Sequence, residues 1–297
     1  MNTRKNGRAV LGGAALAASL VMGGGCVYKG WTSADYEQTV SLTGEHDPEH
    51  GLLVRTENGS ITVSRGELPG VSVTADVRAQ TQERADAVTI RMERYGDTLR
   101  IEPDWPDGKR LNGEGVTLRI QVAGSSSTDL RSSNGALKVQ GLGGSVEAQS
   151  SNGPITVFDH GGPVRLRTSN GRIEVIGARD AVDVGTSNGR VKIELADAAD
   201  GPVLVRTSNG SVTIDLGDGI AGGITATTSN GSVSLMGPGT SLVGDKLGQM
   251  MFAEPGPEST VRTSNGSVSI VTGDASAQMK TDKQARKTMS ERPGSDV

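Results

Sequence analysis

The chain has 297 residues, a formal net charge of −4, 34% hydrophobic residues and only 2% aromatic residues. That charge excludes the dense basic footprint a nucleic-acid binder needs. So few large rings (Trp31, Trp105, Tyr28, Tyr36, Tyr95, Phe158 and Phe252) do not fill an ordinary globular core of this length, whereas 43 glycines suit a chain with many corners.

The N-terminus reads as an export signal. Arg4, Lys5 and Arg8 form a positive n-region, and Ala9 to Met22 form an apolar stretch too short to span a bilayer. Gly23-Gly24-Gly25-Cys26 follows, and Cys26 is the only cysteine. One cysteine in an exported chain forms no internal disulfide. A small residue before Cys at the end of an apolar run resembles the bacterial lipobox, which implies acylation of Cys26. The departure is Gly23, where a Leu-like residue is usual. We therefore expect a lipoprotein signal peptide over 1–25 and a lipid anchor in the cell envelope; Val27 resembles the outer-membrane sorting pattern of a Gram-negative cell. Losing the signal strips three positive charges and leaves the mature chain near −7.

Residues 26–50 read as a tether and a first strand, with Gln38 to Leu42 alternating weakly. They contain Glu45-His46-Asp47-Pro48-Glu49-His50, the one cluster with metal-ligand chemistry. Pro48 disfavours the helix that would put both histidines on one face. A solvated acidic turn is the better reading, and neither a metal nor a cofactor is expected.

Residues 51–130 hold a first Thr-x-Asn-Gly copy and then alternating stretches at Val71–Val77, Val88–Arg94, Thr98–Glu102 and Val116–Val122, the pattern of half-buried strands. Gln80–Ala85 is a polar connection with room for one helical turn. Trp105, in a loop, is expected to pack on its own sheet. This part forms a less regular N-terminal section.

Residues 131–272 repeat. Thr/Ser-x-Asn-Gly-x-apolar-x-apolar occurs eight times in the chain, at Asn58, Asn134, Asn152, Asn170, Asn188, Asn209, Asn230 and Asn265, with spacings from Asn134 onward of 18, 18, 18, 21, 21 and 35. A nearly fixed period marks a repeat architecture. Val164, Leu166 and Thr168 share one strand face, Arg165 and Arg167 the other. After Asn-Gly, a strong turn signal, Ile173 and Val175 return to the first face. Each repeat is thus two short strands and two turns. Two folds suit such a unit: a meander of hairpins, or a β-solenoid in which each repeat is one coil. A hairpin needs only Asn-Gly and gives no reason for the same Thr, Ser, Asn and Gly at every corner. Stacked coils bring like residues within about 4.8 Å, where asparagines form a hydrogen-bonded ladder. The preferred fold is an all-β solenoid of stacked two-strand coils over 51–272.

The run Leu53-Val54-Arg55-Thr56-Glu57-Asn58-Gly59-Ser60-Ile61-Thr62-Val63, then Gly96–Ile101, Val116–Val122 and the Ser-Asn-Gly series, resembles the bacterial putative-adhesin β-solenoid domains, sometimes called toastrack domains. The match runs from about Gly51 to Ile270. One departure is Ala123-Gly124 after the Val116–Val122 strand, where such domains usually have Pro. The resemblance implies a solenoid fold and a surface-adhesion role.

Three features remain. Arg55, Arg131, Arg167, Arg206 and Arg262 precede the corner Thr/Ser and could stack as a basic stripe, but Gln149, Gly185 and Thr227 interrupt the column; outward charges that discourage edge pairing and pair with neighbours such as Glu174 are the better reading. Residues 236–260 are an insertion with an apolar side of Leu242, Val243, Leu247, Met250, Met251 and Phe252, either a lid over the end coil or a partner-binding flap. Residues 273–297 are polar, and we expect them to be disordered. With three histidines, no phosphate loop and no cysteine pair, no catalytic set is arguable. The expected protein is a non-enzymatic, envelope-anchored adhesin or surface scaffold that meets the membrane through its lipid and binds a protein or polysaccharide. A regulatory partner in envelope-stress signalling is the alternative, and a carbohydrate-active β-helix enzyme is a third reading.

Overall fold

The computed structural model describes residues 21–22, 36–218, 221–237, 240–252 and 254–273. Cys26 and residues 274–297 lie outside them. The chain divides into two compact units, 1–171 and 172–297, each an all-β solenoid in which one sheet is built from the strands before the Asn-Gly corners and the other from the strands after them.

In the first unit the pre-corner sheet runs Thr89–Tyr95, Thr98–Asp104, Gly51–Asn58, Ser127–Asn134, Ser145–Ser150, Val164–Thr168. The post-corner sheet runs Tyr36–Gly44, Val71–Ala79, Gly115–Val122, Ile61–Arg65, Leu137–Gln140, Ile155–Phe158, with Val21 and Met22 paired against Ser41 and Val40. The repeat strands pair in parallel and in register: Leu137 sits beside both Ile61 and Ile155, and Ala148 beside both Leu130 and Leu166. Strands at the N-terminal end add antiparallel, as in Thr89–Tyr95 on Thr98–Asp104. The sequence places these strands to within a residue or two. The polar connection contains the short helix Gln82–Ala87, whose N-cap Thr81 accepts from the Arg84 amide.

In the second unit the pre-corner order is Val182–Asn188, Val203–Asn209, Glu258–Asn265, Gly223–Asn230, Leu247–Met251. The post-corner order is Ile173–Ala178, Val191–Leu195, Val212–Asp215, Val268–Val271, Val233–Gly237, Thr240–Gly244. Here the coils do not stack in sequence order. The Asn265 coil lies between the Asn209 and Asn230 coils, pairing with both in parallel. The inserted segment supplies the reason. Its strands Thr240–Gly244 and Leu247–Met251 close antiparallel on the Asn230 coil and turn the chain back into the open slot. The first unit has the same device: Gly51–Asn58 lies between Ser127–Asn134 and the later strand Thr98–Asp104. At such an end the outermost coil is held by a coil made before or after it in sequence.

The core is what the alternation predicts. Val164, Leu166, Ile173 and Val175 are buried, as are Val54, Ile61 and Val63. Stacked aliphatic side chains fill it without large rings, which accounts for the low aromatic content.

Candidate binding groove beside the asparagine corners

Each corner is held by three groups. First, the Thr or Ser hydroxyl is buried and donates to the neighbouring coil's main chain: Ser132 to Gly59 O (3.2 Å), Ser150 to Gly135 O (3.3 Å), Thr168 to Gly153 O (3.2 Å), Thr263 to Gly210 O (3.2 Å) and Thr228 to Gly266 O (2.9 Å). Second, the asparagine amides form ladders. In the first unit Asn134 donates to Asn58 (2.8 Å), Asn152 to Asn134 (2.9 Å) and Asn170 to Asn152 (2.9 Å). In the second, Asn209 donates to Asn188, Asn265 to Asn209 and Asn230 to Asn265, each at 2.8 Å. Third, the glycine lies flat on the coil beside it. A Cβ on Gly135 would stand 1.9 Å from Gly59 O, and one on Gly153 2.0 Å from Gly135 O. The glycine is therefore required by close approach of two backbones. Positive φ is not the reason at the asparagines: among the described residues Asp107, Asp159 and Ala198 are the non-glycines with positive φ.

The first unit's ladder ends on the 109–115 loop. Asn58 Nδ2 donates to Glu114 O (3.1 Å). Glu114 is fully buried and receives Arg84 Nε (2.7 Å), Arg84 Nη2 (2.9 Å), Leu111 N (2.8 Å) and Gln80 N (3.3 Å). The Arg84 guanidinium, helped by the two amides and opposed by burial, holds this carboxyl at about 2, below its ordinary 4.5. Nothing periodic in the sequence marks the pair. An acidic residue between Gly113 and Gly115 is the only local hint.

Beside this end lies a groove of about 670 Å³. Its floor is the outer face of Tyr36–Gly44, Val71–Ala79 and Gly115–Val122, presenting Glu37, Thr39, Asp76, Arg78, Thr117 and Arg119. Its rim is the Asn58-Gly59-Ser60 and Asn134-Gly135 corners with Gly113–Gly115. Asp76 is fixed on both sides, accepting from Thr39 Oγ1 (3.0 Å) and pairing with Arg119 Nη1 (2.6 Å). Glu37 and Arg78 stand opposite each other across the strand pair, both exposed. Gln38 Oε1 is buried and accepts no hydrogen bond from the described residues. Hydroxyl, amide, carboxylate and guanidinium groups thus converge on one polar concavity.

The other candidates fall elsewhere. Arg55 and Arg131 are neighbours, Arg131 is followed by Gln149 and Arg167, and Arg206 lies beside Arg262. Arg131 is neutralised by Asp129 (2.9 Å), and Lys192 pairs with Glu174 (3.5 Å) and Glu194 (2.8 Å). The acidic turn does not gather its histidines on one point. His50 Nδ1 lies 2.6 Å from Arg94 Nη1, and His46 is buried with both ring nitrogens lacking partners among the described residues. Burial, then the nearby Arg94 charge, lowers the His46 pKa below 6.5. Trp105 is half-buried.

Fold and groove together define a β-solenoid with a polar cleft at its corner edge. Solved structures of putative adhesins are similar over 80% of this chain. The putative adhesin from Bacteroides fragilis is 10% identical, with a TM-score of 0.41 and 97% of its own chain covered. A putative cell adhesion protein from Clostridium sporogenes is 14% identical, with a TM-score of 0.31 and full coverage of its chain. A putative lipid binding protein from Parabacteroides distasonis is 12% identical, with a TM-score of 0.28 and 96% coverage. No protein-family model matches the chain, and no curated protein does. Identities this low say nothing of what the chain binds.

Proposed function

We propose that this chain is a non-enzymatic, envelope-anchored lipoprotein, an adhesin or cell-surface scaffold whose groove beside the first asparagine corners binds a hydroxyl-rich polymer, with polysaccharide preferred to protein. The observation that carries the reading is the groove lining. Thr39, Ser60 and Thr117 offer hydroxyls, and Asp76 with Arg119 a fixed, paired acceptor and donor. Such groups match sugar hydroxyls, and bidentate carboxylate and guanidinium contacts set ligand orientation. The three histidines support a non-catalytic reading: His50 is engaged by Arg94, while His46 and His160 are buried. Acylated Cys26 holds the protein at the membrane; no helix among the described residues is long and apolar enough to cross one.

The test is a glycan array probed with the chain and with Arg78→Gln. Arg78 is exposed, and Gln sets no second carboxylate opposite Glu37, so the variant keeps the fold. Binding to a defined glycan class that falls at least about tenfold in the variant is expected. Equal binding by both proteins moves the ligand site elsewhere, and no glycan bound by either removes the polysaccharide reading.

A further inference from the structure

The strand Leu247–Met251 ends the pre-corner sheet of the second unit, paired on one side with Gly223–Asn230. Phe252 N donates to Gly222 O (2.8 Å) and Thr228 N to Lys246 O (2.9 Å). Antiparallel bonding alternates, so residues 246, 248, 250 and 252 direct their backbone groups at the sheet. Leu247, Gln249 and Met251 direct theirs away from it. The same three residues carry the outward side chains: Leu247 is 55% and Met251 75% exposed. The strand is firmly seated, because Met250 is buried and a Cβ on Gly248 would strike Val233 at 2.8 Å.

A seated strand whose outward donors and acceptors meet no described residue can template another strand, and proteins protect such edges with charge, proline or bulges. The outermost strand of the first unit's pre-corner sheet, Thr89–Tyr95, is protected in that way. It carries Arg91, Glu93 and Arg94, with Arg91 paired to Glu102 and Asp104. Leu247–Met251 has no charge and no proline.

Its outward pattern, Leu-Gln-Met, is also self-complementary. Centred on Gln249, an antiparallel copy sets Leu247 against Met251, Gln249 against Gln249 and Met251 against Leu247. In that register each of the three exchanges both backbone bonds with its mate. We propose that the strand is an isologous interface at which a second copy of this chain pairs antiparallel across a two-fold axis at Gln249. The apolar pairs that flank the axis are the exposed side chains themselves, and the uncharged centre repels nothing.

A Cys26→Ala chain carrying Gln249→Cys tests the register. Directly opposed, hydrogen-bonded residues lie about 5.5 Å apart, within disulfide reach. Mild oxidation should give a band of twice the chain mass on a non-reducing gel. Thr225→Cys in the same background, one strand inward and opposite Gln249, should run as a single-chain band on that gel. Light scattering of the Cys26→Ala chain should report a dimer, and adding Gln249→Lys, which sets two ammoniums face to face at an exposed site, should give a monomer with an unchanged circular dichroism spectrum. A Cys26→Ala chain that is monomeric at every concentration, or a Gln249→Lys variant that stays dimeric, overturns the proposal.

Discussion

Asn58 Nδ2 donates to the Glu114 carbonyl at 3.1 Å, so the last amide of a repeated ladder finds its acceptor on a loop that has no repeat at all. That loop is set by the buried Glu114 carboxylate and the part-exposed Arg84 guanidinium paired with it. Removing the carboxylate strands the Leu111 and Gln80 amides that donate to it. Glu114→Ala should destabilise the chain by about 2 kcal/mol, read as a lower urea midpoint with an unchanged slope. Glu114→Gln should cost less, since the amide oxygen still accepts from the Leu111 and Gln80 amides. Equal midpoints for wild type and Glu114→Ala would show that the loop is not what closes this end.

The acid limb of stability should carry the same signature. The folded Glu114 carboxyl sits at about 2, below the ordinary 4.5 of an unfolded chain. A depressed carboxyl contributes stability that is present above 4.5 and is lost as pH falls toward 2. His46 acts higher. Its folded pKa lies below 6.5, so the unfolded chain takes up the proton first and stability declines as pH drops below 6.5. His46→Phe, which has nothing to ionise at that buried position, should flatten the midpoint-versus-pH curve where it first turns down below pH 6.5.

The repeat was legible because one physical demand recurs at every coil. Like residues lie in register, so Ser150 and Thr168 do the same work and look the same. The meaning of the glycine was not legible: the dipeptide Asn-Gly signals a turn, yet the cost of a side chain at Gly153 comes from Gly135 in a different coil. Coil order was hidden for a related reason. Asn209 and Asn230 carry the same motif, so nothing local says that Asn265 lies between them. Glu114 and Arg84 lie thirty residues apart outside any period, which puts their pairing beyond pattern reading.

The corner asparagine and glycine should therefore rank differently when changed. Asn152→Ala loses two side-chain hydrogen bonds at an exposed position, a cost of about 1 kcal/mol. Gly153→Ala drives a methyl group onto the Gly135 carbonyl, where only backbone can give way, and should cost about 3 kcal/mol. Asn152→Asp should fall between them, because its carboxylate still accepts from Asn170 but meets the Asn134 oxygen with no proton to offer. Thermal denaturation of the three variants side by side measures the order. Asn152→Ala costing as much as Gly153→Ala would make the amides, and not the close packing, the main tie at this corner.

The ladder also governs a chemical weakness of Asn-Gly. The glycine amide nitrogen attacks the asparagine Cγ, ammonia leaves, and water opens the resulting succinimide to Asp or isoAsp. In the second unit Asn209 and Asn265 are held at both side-chain atoms, and their glycine amides are engaged, Gly210 N with Asn265 O and Gly266 N with Asn230 O, both at 3.0 Å. Among the described residues Asn230 is held through Nδ2 alone and the Gly231 amide has no acceptor. Peptide mapping after incubation of the folded protein at mildly alkaline pH should find acid formed at Asn230 well ahead of Asn209 and Asn265. In urea the coils are gone and the three sites should convert at similar rates. If Asn209 keeps pace with Asn230 in the folded protein, the ladder bonds do not restrain the side chain enough to block cyclisation.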